Sequence, residues 1–294
     1  MTEETPVHIP VLLHEIVEWL APRPGGVVVD GTLGGGGHTR ALAERVGPEG
    51  LVIALDRDTE ALERAEQGLA GLPVKLVHAN FCDLPEVLDE LRIAAVAGVV
   101  LDLGMSSDQL SDAERGFSFS SPGLLDLRFD LSRGEPAWRL VNRLSAEHLA
   151  DLIYQYGEER HSRRIAQTIV AERHENPIRT AAALAELVRR CVPAARHGPR
   201  IDPATRTFQA LRIAVNDELK SLEIALRRIP DRLCRGGRMA VISFHSLEDR
   251  RVKEAFRDDP RWEVLTKKPL LPRPREVDEN PRSRSAKMRV AQKK

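Results

Sequence analysis

Between Asp30 and Thr39 the chain reads DGTLGGGGHT, directly behind the apolar run VVVD (Val27 to Asp30). Glycines between a strand and a helix let the backbone close on a ligand and aim amide donors out of the helix N-terminus. Two nucleotide chemistries that use such a turn fail here. The dinucleotide fingerprint G-x-G-x-x-G breaks in each register, because Gly31 meets Leu33, and Gly34 with Gly36 meets Thr39 where a third glycine is needed. The phosphate loop needs G-K-S/T at its end, and Gly36 is followed by Gly37 and His38. The surviving reading is the acid-then-glycine turn of S-adenosylmethionine (SAM) enzymes, which lies under the amino-acid end of the cofactor. Such a turn holds no phosphate and needs no lysine.

Further groups recur at the ends of successive apolar runs. Asp56 closes LVIALD (Leu51 to Asp56), 25 residues after Gly31, where a carboxylate can accept both ribose hydroxyls. Phe81 follows VKLVHA (Val74 to Ala79) and is positioned to pack on adenine. Asp102 lies in VAGVVLDL (Val96 to Leu103) at a fourth strand end. Open α/β folds bind ligands at this carboxyl edge of the sheet. His38 by itself reads as a hydrogen-bonding residue at a helix start. The chain holds no H-E-x-x-H, no G-x-S-x-G and no H-x-E paired with P-C-x-x-C, which disfavours zinc proteases, nucleophile-elbow hydrolases and zinc deaminases. Cys82, Cys191 and Cys234 are far apart with no C-x-x-C, so no metal site or disulfide framework is expected, and a reducing cytosolic compartment is the default.

Positioning those residues requires strands alternating with helices. The four runs with helix-like stretches between them predict βαβ units on a mostly parallel sheet, an α/β fold. The alternation stops after Leu103. Helical stretches near 145–156, 160–175 and 180–192 follow, with no strand-like run between about 130 and 205. From Phe208 through Leu211, Val215, Leu219, Leu222, Leu226 and Ile229 the spacing predicts one long amphipathic helix. Arg238 to Phe244 then reads as a buried strand, Ser246 to Arg257 as a helix, and Trp262 to Lys268 and Ala286 to Gln292 as strands. The sheet thus resumes after an insertion. We expect a catalytic domain split into 1–107 and 208–294 around an inserted helical domain, 108–207.

Four more segments are dense in polar residues: DLGMSSDQLSDAERGFSF (Asp102 to Phe119), DPATRTFQALRIAVNDEL (Asp202 to Leu219), SFHSLEDRRVK (Ser243 to Lys253) and ENPRSRSAKMR (Glu279 to Arg289). Together with HIPVLLHEIV (His8 to Val17) and the glycine turn, they resemble, in order and over nearly the whole chain, the MraW/RsmH family of bacterial ribosomal-RNA methyltransferases. The resemblance implies a class I SAM-methyltransferase sheet with an inserted helical domain. It also implies SAM as cofactor and methylation of the exocyclic 4-amino group of one cytidine in the decoding centre of 16S rRNA. By motif position it assigns cofactor contacts to Gly36, Gly37, His38, Asp56, Phe81, Asp102 and Gln109. Two departures concern the insertion: Gly123 to Asp130 reads GLLDLRFD against the family's GPLDMRMD, and Asp202 stands where His often precedes PATRTFQ.

A cytosine amine is a weak nucleophile because its lone pair is delocalised into the ring. The enzyme must hold it in line with the methyl and accept an amine hydrogen. Asp102 is the first candidate acceptor and His245 the second. DNA amino-methyltransferases carry Asp/Asn/Ser-Pro-Pro-Tyr/Phe after the fourth strand; here the same place reads DLGMSS, without prolines or aromatic. The expected partner is 16S rRNA in the small subunit, not a membrane, and the sequence leaves monomer and homo-oligomer equally open. Three other readings differ in class: a methyltransferase for another RNA base or DNA, a ribosome-assembly protein retaining a SAM fold, and a nicotinamide oxidoreductase.

The 44 basic and 44 acidic side chains cancel only over the whole chain. Residues 1–156 carry net −13, residues 157–212 net +5, residues 213–265 net +1 and residues 266–294 net +7. The acidic part contains the turn for a cationic cofactor, and the basic parts suit a phosphate backbone. Arg163, Arg164, Arg196, Arg200, Arg206 and Arg212 are the candidate phosphate contacts of the insertion. Neutralising the basic residues of 266–294 should weaken RNA binding and flatten its dependence on salt while SAM affinity stays nearly constant. Filter binding across a salt series beside calorimetry with SAM checks this; an unchanged salt slope would refute it.

Overall fold

The structure, a computed structural model, describes residues 9–106, 109–110, 112, 114–192 and 202–294. His8, Arg196 and Arg200 lie outside the described residues. The strands are β1 (Val27–Asp30), β2 (Leu51–Asp56), β3 (Val74–His78), β4 (Val96–Asp102), β5 (Leu233–Ser243), β6 (Trp262–Val264) and β7 (Lys287–Lys293). They form one sheet in the order β3-β2-β1-β4-β5-β7-β6. All pairs are parallel except those of β7, which runs antiparallel to both β5 and β6. Strand order reverses between β1 and β4, where a crevice opens at the carboxyl edge of such sheets.

The apolar strands are covered on both faces. Because side chains alternate along a strand, Val29, Ile53, Val99 and Met239 point into one layer and Val28, Val52, Val100 and Ala240 into the other. The first layer is closed by Leu84, Val87 and Leu88 of α4 (Leu84–Glu90), by Leu222, Ala225 and Leu226 of α10 (Glu218–Arg228), and by Val252 and Phe256 of α11 (Ser246–Asp258). The second is closed by Ile16 and Leu20 of α1 (Leu13–Leu20) and by Leu42, Ala43 and Val46 of α2 (Gly37–Val46). Ala61 and Ala65 of α3 (Thr59–Gly68) are buried too, and Asp58 caps that helix by accepting from the Glu60 amide. This double cover explains near-continuous apolar strands with no polar face. Among the described residues, no helix is long and apolar enough to cross a membrane.

The chain divides into two compact units, residues 1–106 with 219–294 and residues 107–218. The second comprises α5 (Ala137–Arg143), α6 (Ala146–Gly157), α7 (Ser162–Glu175), α8 (Ala181–Cys191) and α9 (Thr205–Asn216). Its interior is built from Leu125, Leu149, Ile153, Ile165, Ile169, Leu184, Val188 and Leu211. At Gly157 the backbones of α6 and α9 meet so closely that a Cβ would lie 2.4 Å from the Arg206 carbonyl oxygen.

The single helix expected from Phe208 to Ile229 is two helices. Asp217 adopts the left-handed conformation (φ 50°) and ends α9. The reason is Asn216, which is 2 % exposed. Its amide donates to the carbonyls of Leu127 and Arg212, at 2.7 and 2.9 Å, and its Oδ1 accepts from the Phe129 amide at 2.8 Å. The apolar period runs unbroken across this joint, so it hides the break. The sequence boundary drawn at 207/208 falls inside α9 for the same reason. Strand β5 also begins five residues before the expected Arg238, taking in Gly236 and Gly237 at a register irregularity between Val96 and Gly98. The short α12 (Pro274–Glu279) precedes β7.

Candidate active site

Asp30, at the end of β1, is fully buried. Its Oδ2 accepts from the Thr39 hydroxyl at 2.7 Å, and its Oδ1 accepts from the Thr32 amide at 3.1 Å and the Thr32 hydroxyl at 3.4 Å. Thr32 Oγ1 in turn accepts from the Asp102 amide at 2.7 Å, so the glycine turn is tied to the end of β4. Gly31 sits where the strands crowd: a Cβ there would meet Leu101 Cδ2 at 2.4 Å and Phe81 Cβ at 3.0 Å. Gly36 is the left-handed residue (φ 77°) that opens α2. Gly37 is required by contact, since a Cβ would lie 2.8 Å from Pro10 Cγ.

The turn does not leave all its amides for a ligand. Gly34 donates to Asp56 Oδ2 at 2.8 Å, and Gly36 donates to the Leu33 carbonyl at 2.7 Å. Asp56 also accepts from the Asp58 amide at 2.9 Å. Burial pushes the Asp56 carboxyl up, against the pull of these two backbone donors. Each of its oxygens holds one backbone hydrogen bond, and a carboxylate oxygen has a second lone pair for a hydroxyl. Phe81 is half-buried against the first core layer.

His38 is buried behind the turn. Its Nε2 lies 2.9 Å from the Val11 carbonyl oxygen, and since a carbonyl only accepts, Nε2 carries hydrogen. Nδ1 then faces Asp102 Oδ2 across 3.8 Å. Asp102 accepts from the Gly104 amide at 3.3 Å, and its side chain keeps 15 % of its exposure. Burial is the largest influence on its carboxyl and pushes it up to about 6, opposed by His38 and the Gly104 amide and reinforced by Asp30 and Glu248. A carboxylate of that basicity is ionised at neutral pH yet closer than an ordinary aspartate to accepting a proton.

His245, the second candidate acceptor, stands at the start of α11. It is the N-cap of α11 in a reciprocal capping box: Nδ1 accepts from the Glu248 amide at 3.4 Å, and Glu248 Oε2 accepts from the His245 amide at 3.3 Å and the Phe244 amide at 2.8 Å. Its Nε2 lies 3.1 Å from Glu248 Oε1 but without hydrogen-bond geometry. The Nδ1 of the imidazole is thus engaged as a helix cap.

In the second unit Gln109 is buried. Arg163 and Arg164 are exposed on the first turn of α7, and Arg206 is exposed on α9, reaching the Glu158 carbonyl at 3.4 Å. Arg212 is a correction: it is 9 % exposed and forms a two-pronged ion pair with Glu218, at 2.8 and 2.9 Å, so its guanidinium is committed within the protein. Sequence reasoning missed Thr32 and Thr39, whose positions two and nine residues after Asp30 are the only trace of the network they form. It also missed Pro10 and Val11, which hold Gly37 and His38 from the far N-terminal side.

The MraW methylase family model matches residues 5–294. The chain belongs to the MraW methylase family. A protein from Geotalea uraniireducens, named ribosomal RNA small subunit methyltransferase H, is 50% identical over 97% of this chain and 98% of its own length. A protein of the same name from Rhodopirellula baltica is 51% identical over 97% of this chain and 91% of its own. Membership makes the carboxyl-edge cluster the place to look for methyl transfer.

Asp102 sits at about 6 in the fold against an ordinary 3.8, so the folded state holds the proton more tightly. Its contribution to stability therefore falls as pH rises from about 4 to about 6 and is level above that. Asp102→Asn, which cannot ionise, should gain stability relative to wild type across that window, by up to about 3 kcal/mol. Urea unfolding of both proteins from pH 4 to 7 measures this, and a constant difference would contradict it.

Proposed function

We propose that this protein transfers a methyl group from SAM to the exocyclic 4-amino group of a cytidine in the decoding centre of 16S rRNA, acting in the cytoplasm on the small ribosomal subunit. The observation that carries this reading is the hydrogen-bonded link of the glycine turn to Asp102, which fixes a basic carboxylate beside the cofactor turn. The family and its relatives support methyl transfer to small-subunit rRNA. The cytidine amine is supported by the resemblance of the motifs and by an acceptor at the place where amino-methyltransferases carry one.

The residues present suit a cationic cofactor. The turn from Asp30 to Thr39 contains no Lys or Arg, and the carboxylates of Asp30, Asp56 and Asp102 gather around it. When bound, SAM supplies an electrophilic methyl on a sulfonium. Gly36, Gly37 and His38 would hold its amino-acid end, Asp56 its ribose hydroxyls and Phe81 its adenine. Asp102 accepts a hydrogen bond from the amine of the target base and then takes its proton at the carboxylate. Positioning of this kind supplies up to roughly 7–11 kcal/mol of a barrier in favourable cases. The base must leave its stack to reach the site. Exposed Arg163 and Arg164 and the exposed basic residues of 266–294, such as Lys267, Lys268 and Arg284 but not the buried, Asp249-paired Arg289, are the phosphate contacts that this reading assigns, and such contacts carry most of the affinity for RNA.

Mass spectrometry of 16S rRNA fragments from cells with and without this gene tests the proposal. The expected result is one decoding-centre cytidine that loses a single methyl at N4 when the gene is absent. An unchanged cytidine would overturn it. Subunit binding without methyl transfer would favour an assembly protein, and labelled methyl on DNA or another RNA base would favour a different substrate.

A further inference from the structure

The segment after β4, DLGMSS, carries an acceptor but no aromatic residue, although an unstacked base needs a surface to lie against. The structure brings an aromatic to the same place from the neighbouring strand. Phe244 follows β5, which pairs in parallel with β4 so that Asp102 is opposite Ile242. The two chain ends leave the sheet side by side, and the Leu103 amide donates to the Ile242 carbonyl at 3.0 Å.

At Gly104 they touch. A Cβ on Gly104 would lie 2.7 Å from Phe244 Cε2, 2.8 Å from Cζ and 3.3 Å from Asp102 Oδ1. The tip of the ring and the carboxylate therefore converge on one point, and only glycine leaves room for both. The ring is also anchored. Phe244 donates its amide to Oε2 of Glu248, which is 2 % exposed, while Phe244 itself stays half-buried with part of its surface open. The capping box that occupies His245 thus fixes the residue before it. One part of the ring packs against the second core layer, and its tip lies over Gly104 beside the Asp102 carboxylate.

We propose that Phe244 is the stacking surface for the target base, replacing in space the aromatic that amino-methyltransferases carry in the loop after the fourth strand. Acceptor and aromatic, three residues apart in such loops, come here from two strands separated by more than 130 residues of sequence. This inference rests on the reading of the substrate as a nucleobase amine. It assigns Phe244 to substrate binding, with Gly104 as the clearance it requires and Glu248 as a positioning residue.

The test compares wild type and Phe244→Leu on small subunits isolated from cells lacking the gene. Steady-state methylation and calorimetry with SAM are measured for each. Leucine keeps the apolar contact and loses the aromatic face. We expect Phe244→Leu to lower kcat/KM roughly 5- to 150-fold, the range that base–aromatic stacking spans. SAM affinity should be unchanged. Wild-type kcat/KM in Phe244→Leu would overturn the assignment, as would a loss of SAM affinity that accounts for the loss of rate. Wild-type protein that leaves cytidine N4 unmodified would overturn the substrate reading itself, and this inference with it.

Discussion

Thr32 joins two strand ends that share no other side-chain link described at this edge: its Oγ1 accepts from the Asp102 amide at 2.7 Å and contacts the buried Asp30 carboxylate at 3.4 Å. A buried carboxylate is costly unless its oxygens are hydrogen-bonded. Asp30 meets that condition by gathering the Thr32 amide, the Thr32 hydroxyl and the Thr39 hydroxyl. In doing so it fixes the path of the glycine turn, the start of α2 and the height of Asp102 together. Gly31 and Gly37 then follow as necessities, because the turn so fixed runs against Leu101 on one side and Pro10 on the other.

The same edge sets the electrostatics. Asp30 acts on the carboxyls of both Asp56 and Asp102, Glu248 acts on that of Asp102, and burial raises both. Such a collection of partly desolvated acids repels phosphate and favours a cationic ligand. It also produces at Asp102 a base whose proton affinity lies near neutrality, which general-base chemistry needs. Under the proposed function, one feature of the fold, acids at successive parallel strand ends, serves both the cofactor and the chemistry.

Much of this was legible in the chain. The strands announced themselves because a doubly covered parallel sheet needs apolar residues on both faces, and VVVD, LVIALD and VAGVVLDL have them. Asp56 and Asp102 were readable because each ends such a run. What escaped the sequence depended on partners distant in the chain. The break at Asn216 arises from its bonds to Leu127 and Phe129, almost ninety residues earlier, while the local period continues undisturbed. Arg212 resembled a free cation until Glu218 proved to hold it. His245 resembled a base because of its place after a strand, yet His245 and Glu248 three residues later form a capping pair. Phe244 lies in the segment SFHSLEDRRVK, but nothing in the sequence sets its ring against Gly104.

The central claim is that Asp102 acts in the chemical step and not only in holding the cofactor. Single-turnover methylation of unmodified small subunits by Asp102→Asn, at SAM concentrations calorimetry shows to be saturating for that variant, tests it most directly. The account predicts a rate lower by roughly 10²- to 10⁴-fold, the contribution of a positioned general base. A saturating rate equal to wild type would contradict it.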